Sequence, residues 1–334
     1  MDASAAMPGK GLPHDPVHLA NIQPFGWVLV IKQLPPPIRK WEILTLHPFR
    51  GAYPLSRTTL YQQEKEAWEI MIHIIPKPTD TTDDNSTAAV AGEIRSQGGT
   101  CELIDIHRID PFMPPFEHEI VWVCGITQDE HQFEVLQALS LSNVLVNTPQ
   151  AIGICASKVF TTALLMHHSV PSPRTLFTSS KEVAGRFIQK HGRVVIKPIY
   201  GFDGHGIFLI DAPGQLGNPP YYLQEYVPND RDFRIFVIDG DPVGAIMRVS
   251  DTLAHNIHQG GTGIPIEIDD EMRSIAAAAA QVTGVDYGGV DLLRYHDSYC
   301  VLEVNGTPNW HCMAAPIPAL LARYLLEKER DLKA

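Results

Sequence analysis

No apolar run in the 334-residue chain approaches the ~18–20 residues a membrane-spanning helix needs; the longest, residues 25–31, falls far short, and no membrane association is expected. Cysteine is scarce. The five present (Cys101, Cys124, Cys155, Cys300 and Cys312) form no C-x-x-C pair and leave one over, which points to reduced thiols in the cytoplasm rather than a disulfide scaffold. Residues 1–16 lack the apolar segment of a secretory signal. The zinc-protease pattern H-E-x-x-H, the nucleophile elbow G-x-S-x-G and the phosphate loop G-x-x-x-x-G-K-[ST] are all missing. Positive charge is also short: 26 basic residues against 38 acidic give a net charge of −12, a poor balance for holding nucleic acid. Any anionic substrate must therefore meet lysines and arginines gathered in one place.

What is present suffices for a sizeable core, since 44% of the residues are hydrophobic. Residues 1–20 are small and aperiodic and read as a loose arm. Residues 21–146 read as an α/β domain with strands at 27–32, 42–46, 70–75, 103–106 and 121–126 and a helix at 129–141. That alternation favours a parallel sheet. Residues 78–100, rich in Thr, Asp, Ser, Ala and Gly, read as a mobile surface loop. A small lobe follows at 147–220, with a helix at 150–168, a strand at 175–178, a helix at 180–191 capped by Ser180 and a strand at 193–197. Residues 221–334 read as a larger α+β lobe. It holds a strand at 221–227, hairpins at 232–248 and 288–305, a helix at 269–283 and a closing helix at 316–332.

Three constellations could carry chemistry. In Val194-Val-Ile-Lys197-Pro-Ile-Tyr-Gly201-Phe-Asp-Gly204-His-Gly206, a strand ends in a lysine and enters a loop whose glycines let backbone N–H groups approach a phosphate. The alternative is a β-turn beside a surface lysine. In the hairpin 288–305, a turn centred on Asp297 pairs residues summing to 594, so Asp291 faces Glu303 with Cβ atoms ~4.5–5.5 Å apart, and Asn305 shares their face. Two opposed carboxylates among apolar neighbours call for a cation, and oxygen-only donors suit Mg²⁺ or Mn²⁺; the alternative is a solvated acidic face. The third is Asp232-Phe-Arg234 with Arg248, joined by the turn signal Asp239-Gly240. Two arginines at one end of a sheet can clamp a phosphate or a carboxylate, or form a cross-strand ion pair. Of 15 histidines, His255 and His258 sit in a glycine-rich loop without acidic company; His167, His168 and His191, at helix ends, suit interaction with the last carbonyls.

Taken in order, Ile196-Lys-Pro…Gly201-x-x-Gly-x-Gly-Ile207, Leu223-Gln-Glu-Tyr-Val227, Asp232-Phe-Arg234, Asn256-Ile-His-x-Gly-Gly261, Gly289-Val-Asp-Leu292 and Leu302-Glu-Val-Asn305 resemble the ATP-grasp superfamily, and within it the RimK-like amino-acid ligases. The resemblance covers residues 143–323. It implies an ATP-grasp fold behind an N-terminal Rossmann-like domain, and an ATP-dependent ligase. Such an enzyme adds an amino acid, typically L-glutamate, to a carboxylate acceptor through an acyl phosphate. On the matching positions, Lys158 and Lys197 would bind ATP, with Gly201, Gly204 and Gly206 in the loop closing over its phosphates. Gln224, Glu225, Tyr226 and Val227 would form the hinge at the adenine edge, Leu302 would lie beneath the ring, and Asp232 would approach the nucleotide. Arg234, Arg248 and Asn256 would serve the transferred group. Asp291, Glu303 and Asn305 would hold Mg²⁺ or Mn²⁺, two ions in such enzymes. The implied partners are a small-molecule or peptide acceptor and an amino acid, and a homo-oligomer is compatible with them; nucleic acid and membrane are not implied.

The chain departs from the family pattern at Ser157, where Asp is usual, at Gln259, where a basic residue is common, and after Asn305, where Gly306-Thr-Pro308-Asn-Trp310-His311 stands. Trp310 suits either stacking on a pterin- or furan-type acceptor or packing under the last helix. Two other activities compete with the ligase: an ATP-grasp kinase acting on an alcohol, and a nucleotide-binding protein without catalysis.

Overall fold

The structure is a computed structural model; it describes residues 70–127, 129–201, 206–250 and 261–334 in full, and strand backbone at 17–22, 27–33, 40–47 and 59–61. The chain divides into two compact units, Met1–Trp68 and Glu69–Ala334. In the first, β1 (Val17–Ile22), β2 (Trp27–Gln33), β3 (Lys40–His47) and β4 (Thr59–Tyr61) form an antiparallel sheet in that order. Strands expected at 27–32 and 42–46 are present, but they do not belong to a parallel layer, and residues 17–20 are strand rather than arm. The connections at 23–26 and 34–39 explain this, because a parallel crossover takes about a dozen residues or more.

The second unit opens with the expected parallel layer. Strands β5 (Ile72–Ile75), β6 (Cys101–Leu103), β7 (Ile120–Val123) and β8 (Val144–Val146) lie in the order β6-β5-β7-β8. Strands β5 and β7 are buried at every position, as suits a sheet covered on both faces. The predicted surface loop at 78–100 instead contains helix α1 (Ser86–Ser96). Asn85 caps it by accepting from the Ala88 N–H, and small residues (Ser86, Thr87, Ala91) let its Val90 and Ile94 stripe sit against the core. Helix α2 (Glu130–Leu139) covers the other side of the layer with Val135, Leu136 and Leu139.

The single helix expected at 150–168 is two, α3 (Pro149–Ala156) and α4 (Lys158–His167), bent 97° at Ser157. Ser157 leaves helical geometry (φ −94°, ψ 102°) and its hydroxyl accepts from the Phe160 N–H, so it ends one helix and caps the next. Among the described residues no single helix is long and apolar enough to cross a membrane.

Two antiparallel sheets complete the unit. The smaller contains β9 (Thr175–Thr178), β10 (Val194–Lys197), β11 (Phe208–Ile210) and β12 (Tyr221–Glu225) in the order β11-β10-β12-β9, backed by α5 (Lys181–His191). The larger contains β13 (Arg231–Ile238), β14 (Asp241–Val249), β15 (Thr262–Ile266), β16 (Tyr287–Tyr295) and β17 (Ser298–Asn305) in the order β15-β14-β13-β16-β17. Helix α6 (Asp270–Thr283) packs Met272, Ala276 and Ala279 on one face of it. Helix α7 (Ile317–Lys333) shares a core with α1, the parallel layer, and Phe236 and Tyr287 of the large sheet. Two polar ties fix the parallel layer to the large sheet. The Tyr287 hydroxyl donates to the Val123 carbonyl, and buried Asn147 donates to the carbonyls of Tyr287 (2.7 Å) and Gly306 (2.6 Å). The strand ends that bear polar side chains are thereby held in register.

Candidate active site

The hairpin β16–β17 sets the centre of the site. Its turn is His296-Asp297, with Tyr295 opposite Ser298, so partners near the turn sum to 593 rather than the predicted 594. A β-bulge at Leu302 inserts one residue, and beyond it Asp291 does face Glu303 and Gly289 faces Asn305. The predicted pairing is therefore present although the predicted turn is not.

Those carboxylates are balanced by side-chain cations. Arg234 donates to both oxygens of Asp291 (Nε 2.7 Å, Nη2 2.8 Å), and Arg248 Nη2 adds a third contact at 2.9 Å. Arg248 also grips Asp232 in a two-point contact at 2.6 and 2.8 Å. The network arises because β13 pairs with both neighbours, setting Asp232 opposite Arg248 and Arg234 opposite Asp291. Burial pushes the Asp291 carboxyl up, but the two guanidiniums outweigh it and hold the group well below the usual carboxylate range. Burial lifts the Asp232 carboxyl, with Arg248 opposing. Asp232, expected to approach a nucleotide, is 4% exposed, enclosed by its ion pair, and is not among the residues lining the cavity described below. The arginines hold these acids here as cross-strand ion pairs, and both arginines also line the cavity described below.

Glu303 faces the other cations. Lys158, first residue of α4, has its Nζ 3.8 Å from Glu303 and donates to the Gly201 carbonyl at 2.9 Å, while its backbone N–H donates to the Ile199 carbonyl. Lys197, the last residue of β10, donates to Gln224 Oε1 at 2.7 Å; Gln224 in turn donates to Thr175. Burial lowers the Lys197 ammonium to about 8, Glu303 opposing and Lys158 reinforcing the drop. The glycine loop is described only at its ends, where Gly206 has φ +74°, a conformation a side chain resists. Gly204 and Asn256 lie outside the described residues, as do His255 and His258.

In the predicted hinge, Glu225 accepts from the Arg174 N–H and the Tyr295 hydroxyl, both 2.7 Å, and lies 3.7 Å from His191 Nδ1. Glu225 is thus a brace for the strand end. Val227 and Leu302 belong to one apolar cluster with Leu293 and Cys300.

A cavity of about 500 Å³ brings together Lys158, Gly201, Arg234, Arg248, Leu302, Glu303 and Asn305. That volume suits an organic ligand of moderate size. Lys197 and residues 224–227 do not line it. On its far side it reaches the carboxyl ends of β5 and β7, at Lys77 and Gly125–Thr127. Lys77 was not singled out from the sequence; a lysine just past a parallel strand was the available signal. Trp310 does not line the cavity; it packs on the shared core, its ring edge-on to Phe236 at 5.8 Å.

Among the described residues no three His, Cys, Asp or Glu side chains cluster as a metal site. The donors at hand are Asp291, Glu303 and Asn305. Glu303, about a third exposed with one long contact, and Asn305 line the cavity and offer oxygen to a hard divalent cation; Asp291, both of whose oxygens are held by Arg234 and Arg248, would join them only on release by those arginines.

A sequence model of the RimK-like ATP-grasp domain matches residues 155–327. The chain is 31% identical over 214 residues to the tetrahydromethanopterin:alpha-L-glutamate ligase of Methanocaldococcus jannaschii, covering 59% of this chain and 74% of that one. It is 32% identical over 205 residues to the alpha-aminoadipate–LysW ligase LysX of Saccharolobus solfataricus, covering 56% and 74%. The solved structure of the ATP-grasp ligase PsnB complexed with a phosphomimetic precursor variant, Mg and ADP matches with a TM-score of 0.62 at 20% identity, covering 78% of this chain and 99% of that one. The fold is the ATP-grasp fold, as the sequence motifs implied.

Proposed function

Because the chain belongs to the RimK-like ATP-grasp family and is an ATP-dependent ligase, we propose that it joins the amino group of L-glutamate to a carboxylate acceptor, a peptide or a pterin-type cofactor. The observation that carries this reading is the single cavity in which two phosphate-seeking cations, Lys158 and Arg234, face the Glu303–Asn305 strand end and open toward the parallel layer. The glutamate donor is supported by the relatives that use it.

Lys158 neutralises the nucleotide phosphates from the cavity wall; Lys197, fixed by Gln224 and absent from that wall in the free protein, adds its charge once nucleotide is bound. Leu302, the member of the apolar cluster with Val227 and Leu293 that lines the cavity, lies under the base. Asp291, Glu303 and Asn305 would hold Mg²⁺ or Mn²⁺, which supplies charge neutralisation to the phosphates when bound. Arg234 and Arg248 turn from Asp291 toward the transferred phosphoryl group, a change of partner between charged oxygens. The acceptor carboxylate oxygen attacks the γ-phosphorus and the bond to ADP breaks. The amine then adds to the acyl carbon, loses a proton, and phosphate leaves as the amide forms. No protein nucleophile is needed; positioning and exclusion of water from the acyl phosphate are.

The test supplies ATP, Mg²⁺ and an acceptor panel of pterins and peptides, with and without L-glutamate, and follows ADP, phosphate and product. Amide formation with stoichiometric ADP and phosphate, and a hydroxamate when hydroxylamine replaces glutamate, are expected. A stable phosphate ester formed without any amine would replace the ligase reading with the kinase.

A further inference from the structure

Lys77 lies just past β5, 8% exposed, and lines the cavity at the carboxyl edge of the parallel layer. Its ammonium donates to the Pro308 carbonyl at 2.8 Å and stands 5.4 Å from the centre of the Trp310 ring. Both partners are neutral. Among the described residues no carboxylate lies within ion-pair distance of it; Asp80 and Asp84 attract it only from farther away. Three N–H donors meet one carbonyl, so two are left for the cavity. Keeping a buried cation without a counter-ion is costly, and burial accordingly lowers its pKa.

The lysine is also held in place. Its backbone N–H donates to Thr87 Oγ1 at 3.0 Å, and Gly125 leaves room for its stem, since a side-chain carbon there would meet Lys77 Cγ at 3.0 Å. Thr79 and Thr127 line the same cavity. A fixed cation lacking an internal counter-ion, at the carboxyl edge of a parallel sheet, is built for an anion that arrives with a ligand.

We propose that Lys77 binds a carboxylate of an organic substrate that is not the one activated: the second carboxylate of the acceptor, or a carboxylate of the amino-acid donor. This rests on the ligase reading, which puts the phosphates at the Lys158 end and leaves the Lys77 end for organic substrate. It makes Lys77 a specificity-determining residue that favours dianionic over monoanionic substrates.

The test is the melting temperature of the full chain with a non-hydrolysable ATP analogue and Mg²⁺, to which one probe is added: glutarate or butyrate for the acceptor, L-glutamate or its diamide for the donor. At saturating probe, glutarate or L-glutamate should raise the melting temperature by about 3 °C over its partner compound. The pair that shows the difference identifies the source of the carboxylate. The increment should vanish in Lys77→Met and survive in Lys77→Arg, which keeps the charge. Equal shifts within both pairs, or an increment unchanged in Lys77→Met, would overturn the proposal. Failure of the wild-type chain to bind the ATP analogue would instead bring down the ligase reading, so the two failures are distinct.

Discussion

Replacing Lys197 by methionine separates the charge of this residue from its packing, because the apolar stem is retained. In the free protein its buried ammonium titrates at about 8 instead of 10.5, chiefly through burial. A bound triphosphate restores the charged form, so nucleotide binding takes up a proton wherever Lys197 has already lost one. Mass action at that pKa gives uptake of roughly 0.1 proton per nucleotide at pH 7, 0.5 at pH 8 and 0.9 at pH 9. Above pH 8 the affinity should fall about tenfold per pH unit, equal to ~1.4 kcal/mol. Titration calorimetry in buffers of different ionisation enthalpy reads the proton count directly. Stability moves the opposite way. With the native pKa below the unfolded one, the native state binds fewer protons, so the cost of burying the charge is full below pH 8 and disappears as pH rises toward 10.5. That cost is on the order of 3 kcal/mol. The melting temperature of Lys197→Met minus that of the wild type should therefore fall from pH 7 to pH 10, whatever the loss of the Gln224 contact contributes. A difference that stays flat, or proton uptake identical in the two proteins, would refute the reasoning.

Glu303→Gln keeps volume and removes one charge from the oxygen donor set, so turnover should fall by ~100-fold, while the melting temperature stays within about 2 °C because Glu303 is partly exposed with a single 3.8 Å contact; a Mg²⁺ titration of activity checks it. Arg248→Met leaves Asp232 and Asp291 short of three charge-assisted contacts in a buried network. A loss of about 3–5 kcal/mol, or roughly 10 °C in the melting temperature, is expected, and a drop under about 2 °C would show that the acids had been rehydrated instead.

The residues gathered around the cavity were legible because several constraints coincide there. A lysine ending a strand, glycines after it and acids on a hairpin each leave a local signature, and the structure gathers Lys158, Gly201, Arg234 and Glu303 around one cavity. Their charge balance was not legible. Opposed carboxylates suggest a cation between them, but whether that cation is a metal or an arginine depends on the neighbouring strand, and β13 supplies Arg234 to Asp291 from 57 positions away. Lys77 escaped notice for the same reason, since its carbonyl partner Pro308 is 231 positions distant. Helix α1 was missed because Ser, Thr, Ala and Gly carry a weak apolar rhythm, although Asn85 marked its start. The break at Ser157 was hidden by apolar residues on both sides.

The Leu302 bulge has an implication for how the strand is divided between two duties. In a regular strand, neighbours point to opposite faces. Here Tyr299 and Val301 join the core under α6, and after the bulge Val304 does so; Cys300 and Leu302 belong to the opposite apolar cluster. The extra residue lets consecutive positions 302 and 303 both serve the cleft, one as apolar floor and one as acid. Excising Leu302 would return β17 to plain alternation with Glu303 still across from Asp291. The strand thus carries its apolar contact to the cleft as an insert of one residue, separable from the acid that follows it.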